Sequence, residues 1–311
     1  MNRFPLRIGT RGSPLALAQA EEVRGRLAAA HGLAVDAFEI VVIKTTGDLE
    51  QDRPLSEVGG KGLFTREIDA ALVKGEIDVA AHSAKDLPTA MPEGVAVPGF
   101  LPREDARDCF VSARYARFAD LPRGARLGTS SQRRQAFARR LRPDIRVELI
   151  RGNVGTRIAK VETGEFDATI LALAGLKRLN LEARASEIFT TDRFLPAVGQ
   201  GAIGMTARAD DAATLSRLKP ILDAATGVSV TAERAFLAKL EGNCRTPIAG
   251  HASLQYDRLI LDTMVLSQDG AWIVHCRVSG TESEAEALGR RAGEMMLEQL
   301  PEGLPSSAPP A

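Results

Sequence analysis

Residues 126–134 read Arg-Leu-Gly-Thr-Ser-Ser-Gln-Arg-Arg, a pattern typical of a strand end, a polar turn and a helix start. The first four residues echo Arg-Ile-Gly-Thr at positions 7–10, which also lead into a polar turn and a helix. A second echo links Gly-Glu-Ile-Asp at 75–78 with Gly-Glu-Phe-Asp at 164–167, and an apolar strand follows each. We interpret these repeats as two copies of one β/α lobe.

Strands that alternate with helices predict parallel sheets, whose ligands bind beyond the carboxyl ends of the strands. Two such lobes that face each other would form a cleft. We expect the first lobe at residues 1–101 plus 198–220 and the second at residues 102–197. A small α+β domain should follow at residues 224–300, and the Pro/Ser/Ala-rich tail, 301–311, should be disordered.

The segment Thr46–Gly60 is polar and charged, contains a proline and ends in two glycines. It is too long and irregular for an ordinary connection, so we predict a mobile lid over the cleft. The next residues, from Lys61 to Phe64, close this loop and begin a helix.

Composition excludes several classes of protein. Forty basic residues balance 40 acidic ones, and aromatic residues make up 5% of the chain, which argues against a nucleic-acid-binding protein. No apolar run is long enough to span a membrane, and the first residues do not resemble a secretory signal. The three cysteines, Cys109, Cys244 and Cys276, lie far apart without metal-binding spacing. We therefore expect a cytoplasmic protein without a metal.

Polar and basic residues gather directly after the expected strand ends. Most of them can donate hydrogen bonds to anions, and the turn before the helix at 132 adds free N–H groups and a favourable dipole. Each arginine alone is more simply a solvated surface charge, but all of them fall at the predicted mouth of one cleft, which chance explains less well. The residues are Arg11, Ser13, Ser83, Lys85, Asp86, Thr129, Ser130, Ser131, Arg133, Arg134, Arg151, Asn153 and Arg157.

Arginine outnumbers lysine in this set, which suits bidentate binding of carboxylates. The chain has no glycine-rich phosphate loop ending in Gly-Lys-Ser/Thr. The ligand should therefore carry several carboxylates. One acid, Asp86, stands among these cations. It could donate protons or stabilise a substrate cation, or it could simply pair with Lys85 or an arginine.

Cys244 lies in a turn, between Gly242 and Pro247, just after a helix predicted at Val230–Leu240. A thiol on such a loop is reachable by a ligand, and the neighbouring Arg245 would favour the nucleophilic thiolate. The alternative is a small buried hydrophobe, which is the commoner role of a lone cysteine.

Several motifs along the chain together resemble the porphobilinogen deaminase family. They are Gly-Thr-Arg-Gly-Ser-Pro-Leu-Ala at 9–16, Gly-Gly-Lys-Gly-Leu-Phe at 59–64, His-Ser-Ala-Lys-Asp-Leu-Pro at 82–88, Gly-Thr-Ser-Ser-Gln-Arg-Arg at 128–134, Leu-Ile-Arg-Gly-Asn-Val-Gly-Thr-Arg at 149–157, Leu-Ala-Gly-Leu-Lys-Arg at 173–178, Leu-Pro-Ala-Val-Gly-Gln-Gly at 195–201 and the Cys244 loop.

The resemblance implies an α/β fold with two doubly wound lobes like those of periplasmic binding proteins, and a small α+β third domain. It also implies a dipyrromethane cofactor joined to Cys244 by a thioether. On this primer a hydroxymethylbilane synthase, a transferase of tetrapyrrole and haem biosynthesis, would deaminate and join four porphobilinogen molecules head to tail. Water would then release the product, and the family suggests a monomer.

The resemblance also assigns roles to the residues. Asp86 would be catalytic and would stabilise the azafulvenium cation, while Lys61 would close the lid. The cofactor would be held by Ser83, Lys85, Thr129, Ser131, Arg133, Arg134 and Arg157. The substrate would be bound by Arg11, Ser13, Phe64, Ser130, Arg151, Asn153 and Gln200.

Two positions depart from the family pattern. Glu57 stands where many members carry a lid lysine, which weakens the role given to Lys61, and Gln132 replaces a more usual leucine. The competing hypothesis is a non-catalytic, two-lobed protein that binds carboxylates. It would need neither Asp86 nor Cys244.

Overall fold

The computed structural model describes residues 5–49, 62–240 and 247–301 of the chain. Within these ranges the strands are β1 (Leu6–Thr10), β2 (Phe38–Val42), β3 (Val79–Ser83), β4 (Val95–Phe100), β5 (Asp108–Val111), β6 (Arg126–Gly128), β7 (Arg146–Glu148), β8 (Ala168–Ala172), β9 (Glu187–Ile188), β10 (Ile203–Arg208), β11 (Ile248–Gln255), β12 (Arg258–Leu266) and β13 (Ile273–Gly280). The helices are α1 (Pro14–His31), α2 (Thr46–Leu49), α3 (Arg66–Val73), α4 (Gln132–Leu141), α5 (Val154–Glu162), α6 (Leu173–Arg178), α7 (Ala212–Leu218), α8 (Ala224–Lys239) and α9 (Ala285–Gln299). Among the described helices none has the length and apolar character needed to cross a bilayer.

The first two sheets have five strands each and the same order. The first runs β2-β1-β3-β10-β4 and the second β7-β6-β8-β5-β9. In each sheet the first three strands are parallel, whereas β10 runs antiparallel to β3 and β5 runs antiparallel to β8. The expectation of parallel sheets therefore holds for three strands of each sheet and fails for β10 and β5, because the chain crosses between the lobes and enters each sheet once from the opposite direction.

The repeated sequence stretches occupy equivalent places in the two sheets. The Asp78 carboxylate accepts a hydrogen bond from the backbone N–H of Arg7 at 2.9 Å. In the second lobe Asp167 accepts from the N–H of Arg126 at 2.8 Å. Each acid thus ties the start of one central strand to the start of the next, and the two lobes share a doubly wound design.

Local sequence explains where several helices begin and end. Ser13 caps α1 by accepting from the N–H of Ala16, with proline at the first helical position, as the sequence indicates. Helix α1 runs to His31 and ends at Gly32, whose backbone is in the left-handed region. Helix α7 ends at Leu218, because Pro220 lacks the N–H that would extend it.

The third domain is a three-stranded antiparallel sheet, β11-β12-β13, with two helices packed on one face. Helices α8 and α9 lie so close that a Cβ on Gly289 would come within 2.2 Å of the Ala232 carbonyl oxygen. On the other face, Met264 and Leu266 join the core of the second lobe. The sheet therefore packs against two hydrophobic cores, that of the third domain on one face and that of the second lobe on the other.

A buried carboxylate joins all three parts of the chain. Glu233 of α8 is 0% exposed and pairs with Arg103, at 2.5 Å, in the first crossing between the lobes. It also accepts from the N–H of Gly199 in the return crossing, at 2.6 Å, and from the N–H of Ala252 in β11, at 2.7 Å. The helix that precedes the Cys244 loop is thereby fixed to both crossings.

Candidate active site

A cleft opens at the carboxyl ends of β1 and β3. Arg11 and Ser13 follow β1, and Lys85 and Asp86 lie in a single 3₁₀ turn directly after β3. Polar and aromatic side chains line this cleft together, and they are Arg11, Ser13, Gln19, Phe64, His82, Ser83, Lys85 and Asp86. Six of these eight residues are ones that the sequence analysis selects; Gln19 and His82 are the other two.

Two contacts fix the side of the cleft that belongs to the first lobe. The Arg11 guanidinium lies 4.0 Å from the centre of the Phe64 ring, which is a cation–π contact. Gln19 of α1 donates to the Ser83 hydroxyl at 2.9 Å. Phe64, shortly before α3, and Ser83, at the end of β3, are thus both held by side chains from the first 19 residues of the chain.

The second lobe presents hydroxyl groups and arginines from the turns after β6 and β7. Ser131 caps α4, and the Thr129 hydroxyl accepts from the Ser131 N–H at 3.2 Å. Arg157 of α5 donates to the Ser130 hydroxyl at 3.2 Å and to the Gly152 carbonyl at 2.9 Å. The two turns are therefore joined to each other by the Arg157 guanidinium.

Arg133 and Arg134 are buried and converge on one carboxylate, Asp108. The Nη2 of Arg133 lies 2.6 Å from one Asp108 oxygen, and the Nη2 of Arg134 lies 2.7 Å from the other. Burial acts to raise the pKa of the Asp108 carboxyl, but the two guanidinium groups outweigh it and hold that pKa below its usual range. Asp108 is therefore ionised.

Burial and neighbouring positive charges lower the pKa of two cations in the site, Lys85 and Arg157. Although part of the Lys85 side chain faces solvent, the protein around its ammonium group lowers its pKa to about 8, and the field of Arg134 from the second lobe adds to this effect. Burial likewise lowers the pKa of Arg157 to about 10, with further contributions from Arg134 and Arg151. The cations of the cleft destabilise one another, a cost that an anionic ligand would relieve.

A neutral, buried histidine is among the residues that line the cleft. Burial and the charge of Arg11 lower the pKa of His82 to about 4, and its Nε2 contacts the Thr206 hydroxyl at 3.1 Å. His82 is therefore uncharged at neutral pH and adds no further positive charge to the cleft.

Other selected residues lie elsewhere. Asn153 is exposed, and its side-chain oxygen caps α5 by accepting from the Thr156 N–H at 3.0 Å. Gln200 is buried and donates to Asp108 rather than lining the cleft. Lys61, Glu57 and Cys244, most of the expected lid and the expected tail fall outside the described residues.

The two cysteines that the structure describes are poor nucleophiles. Burial raises the pKa of the Cys109 thiol to about 12, and burial also raises the pKa of Cys276. Both therefore remain protonated at neutral pH, whereas a thioether anchor requires a reactive thiolate. Neither is a suitable attachment point.

Sequence reasoning misses Asp108, Gln19 and Glu233. Gln19 has a signal, since it interrupts the apolar face of α1 formed by Ala16, Ala20 and Val23. Asp108 is harder to find, because it begins its strand instead of ending it. Only the antiparallel direction of β5 places it beside Ala172, at the cleft end of β8.

The chain is similar to known proteins along most of its length. Residues 6–216 match the family model described as "Porphobilinogen deaminase, dipyromethane cofactor binding domain", and residues 228–298 match the C-terminal domain of the same family. A porphobilinogen deaminase from Nitrobacter hamburgensis is 53% identical over 295 residues, which cover 95% of this chain and 93% of the relative. Another, from Paracoccus denitrificans, is 54% identical over 297 residues and covers 96% and 95%.

Among solved structures, a periplasmic substrate-binding protein of an ABC transporter from Coxiella burnetii is 13% identical, with a TM-score of 0.44 over 70% of this chain and 91% of that one. The family match spans most of the chain, and relatives above half identity span nearly all of it. The chain therefore belongs to the porphobilinogen deaminase family.

Proposed function

We propose that the chain is a hydroxymethylbilane synthase, a transferase that deaminates four porphobilinogen molecules and joins them head to tail. The observation that carries this proposal is one acid, Asp86, in a cleft where the other charged lining groups among the described residues are the cations Arg11 and Lys85. Arg134 of the second lobe lies close enough to act on Lys85. Porphobilinogen carries two carboxylates, so each added unit brings two negative charges into the site. The cations account for binding of the substrate's carboxylates. Asp86 accounts for the catalytic step.

The residues of the second lobe fit a dipyrromethane cofactor. Its carboxylates match the donor set of Arg157 and the Arg133–Arg134 pair, and they would offset the burial and the mutual repulsion that together lower the pKa of Lys85 and Arg157. When bound, this group supplies the growing end to which each substrate pyrrole is joined. We assign Ser83, Thr129 and Ser131 to the same binding set and Cys244 to its covalent attachment.

Asp86 acts on the substrate's leaving group. Departure of the amino group as ammonia requires a proton on nitrogen and leaves a cation on the substrate. The Asp86 carboxyl stands in the turn after β3, where it can pass a proton to that nitrogen and then, as carboxylate, stabilise the cation. The surrounding arginines hold the carboxylates of the substrate and so keep the reacting carbon near the acid.

Substrate binding falls to the first lobe and the rim of the second. Arg11 and Ser13 face the cleft beside Phe64, whose ring can cover an apolar pyrrole face while Arg11 contacts a carboxylate. Ser130 and Arg151 complete the proposed set, and Lys61 is assigned to closure. Asn153, which caps α5, and Gln200, which is buried against Asp108, are left out of this set. We further propose a cytoplasmic monomer with domains at 1–101 plus 198–220, 102–197 and 224–300, whose partner is porphobilinogen and not nucleic acid or membrane.

A non-catalytic carboxylate-binding protein would use the same two lobes. The family membership does not favour it, and it gives no role to Asp86 among the cations. Asp86→Asn separates the two hypotheses, because it keeps the side-chain shape and removes the acid. We expect the variant to fold normally and to release ammonia about 10²–10⁴-fold more slowly than wild type.

Asp36→Asn is the matched control, since Asp36 is an exposed acid in a separate 3₁₀ turn before β2. It should leave ammonia release unchanged. Near-normal ammonia release by Asp86→Asn would remove this residue from the mechanism. Absence of ammonia release from the wild type supplied with porphobilinogen would reject the proposed function altogether.

A further inference from the structure

The arginine pair of the second lobe depends on a carboxylate that does not line the cleft. Asp108 begins β5 and is 0% exposed. One oxygen accepts from the Nη2 of Arg133 at 2.6 Å, and the other accepts from the Nε and Nη2 of Arg134 at 3.0 and 2.7 Å. Every donor in this set is charged and aimed at a buried carboxylate, which makes these hydrogen bonds strong and directional.

Backbone carbonyls hold the opposite sides of both guanidinium groups. The Nη1 of Arg133 donates to the carbonyl of Leu195 at 2.6 Å, and the Nη1 of Arg134 donates to the carbonyl of Ile170 at 2.9 Å. The Nε of Arg133 has no acceptor within the described part of the chain. The orientation of Arg133 is thus imposed by Asp108 and Leu195 at the expense of one buried donor.

Asp108 also sets the net charge of the Arg133–Arg134 pair. Two buried guanidinium groups side by side repel each other, and one carboxylate between them reduces the pair to a single net positive charge. Arg134 remains close enough to lower the pKa of both Lys85 and Arg157. The pair can therefore attract an anion across the cleft while the protein tolerates its burial.

The same carboxylate connects the pair to the crossings between the lobes. Gln200, in the return crossing, donates to Asp108 at 3.1 Å and to the carbonyl of Ala106 at 2.7 Å. Because β5 follows the first crossing and Gln200 precedes β10, Asp108 is the point where both crossings meet the arginine pair. Displacing this carboxylate would change the orientation of both arginines relative to Lys85.

We propose that Asp108 is a positioning residue, which orients Arg133 and Arg134 so that they donate hydrogen bonds to the carboxylates of the cofactor during assembly of the active protein. This inference rests on the proposed function. It assigns to Asp108 no contact with cofactor or substrate, and it predicts that loading of the cofactor is more sensitive to this carboxylate than folding is.

Asp108→Asn tests the proposal, with Asp78→Asn as the matched control. Asp78 also pairs with two arginines, Arg7 at 2.9 Å and Arg208 at 3.4 Å, but it lies at the opposite end of the first sheet, where β3 begins. Each variant is prepared without cofactor and supplied with porphobilinogen. Intact mass then gives the fraction of chains that carry the adduct over time, and thermal unfolding gives the stability before loading.

We expect both variants to lose stability, and only Asp108→Asn to load slowly, by about 10–100-fold relative to wild type, because misplaced binding groups have effects of this order. Loading of Asp108→Asn at the wild-type rate would overturn the proposal. Equal slowing in Asp78→Asn at equal loss of stability would overturn it too, since the effect would then be structural alone.

Asp108→Glu keeps the proposal testable if Asp108→Asn fails to fold. The longer side chain retains the negative charge but moves the carboxylate, so we expect a folded protein that still loads more slowly than wild type. Normal loading of a folded Asp108→Glu would reject positioning as the role. A wild-type chain that never gains adduct mass would instead reject the proposed function, which separates the two failures.

Discussion

The contact that joins the three domains gives a quantitative prediction for Glu233→Gln. Glu233 accepts four hydrogen bonds, from both terminal nitrogens of Arg103 and from the N–H groups of Gly199 and Ala252. Glutamine keeps one acceptor oxygen and turns an NH₂ group toward donors, so about half of these bonds are lost. Arg103, which is largely buried, also loses its counterion.

Breaking a buried ion pair by removing one partner costs about 3–5 kcal/mol, and we expect a loss of that size in the free energy of unfolding. Urea denaturation followed by circular dichroism measures it. With a slope of about 3 kcal/mol per molar urea, the midpoint should fall by about 1–2 M. A reduced slope would further show that the domains no longer unfold together.

Glu286→Gln provides the control, because Glu286 pairs with Arg290 on the exposed face of α9. An exposed pair of this kind contributes about 0–1 kcal/mol, so the midpoint should hardly move. A Glu233→Gln protein within about 1 kcal/mol of wild type would refute the reasoning, since it would mean that the three-way contact does not stabilise the assembled chain.

Three further predictions concern other parts of the molecule. Gly270→Ala should cost about 1–3 kcal/mol in unfolding free energy, because its φ is +76° and a Cβ would lie 2.7 Å from backbone atoms of α4; Gly124→Ala, with φ +78° and open space, should cost less. Loading of the cofactor-free protein should slow as pH rises through about 8, where the Lys85 ammonium loses its charge, and Lys85→Met should be slow at every pH. Cys109 and Cys276 should react with a thiol reagent only after unfolding, and rapid labelling of either in the folded chain would contradict their burial.

The sequence predicts the first side of the site well, for a physical reason. In a parallel sheet the carboxyl ends of neighbouring strands share one edge, so residues that follow strands fall together. Arg11 after β1 and Lys85 and Asp86 after β3 obey this rule and line one cleft. Helix caps are equally local, and Ser13 caps its helix as expected.

The rule fails where a strand is antiparallel to its neighbours. Strands β5 and β10 are antiparallel to their neighbours, so their first residues, not their last, lie at the cleft edge; Asp108 pairs with Ala172 and Ile203 with Ser83. No local pattern announces this direction, because it depends on how the chain crosses between the lobes. The buried position of Gln200 just before β10 has the same origin.

Long-range partners are hidden for a similar reason. From the sequence, Arg133 and Arg134 are predicted to bind an anionic ligand at the surface. The sequence gives no indication that Asp108 is their counterion. Arg133 is paired with a carboxylate 25 residues away, and Glu233 joins segments as far as 130 residues apart. Such pairs become evident only when the fold brings distant segments together.

The central claim is that this cationic cleft serves an anionic primer tethered to Cys244. Intact mass spectrometry of the purified chain, beside Cys244→Ser, tests it most directly. We predict that the wild type exceeds its sequence mass by one dipyrromethane, that the excess survives denaturation and maps to the Cys244 peptide, and that Cys244→Ser has its sequence mass alone. A wild-type chain at its bare sequence mass after exposure to porphobilinogen, or an adduct that persists in Cys244→Ser, would contradict the account.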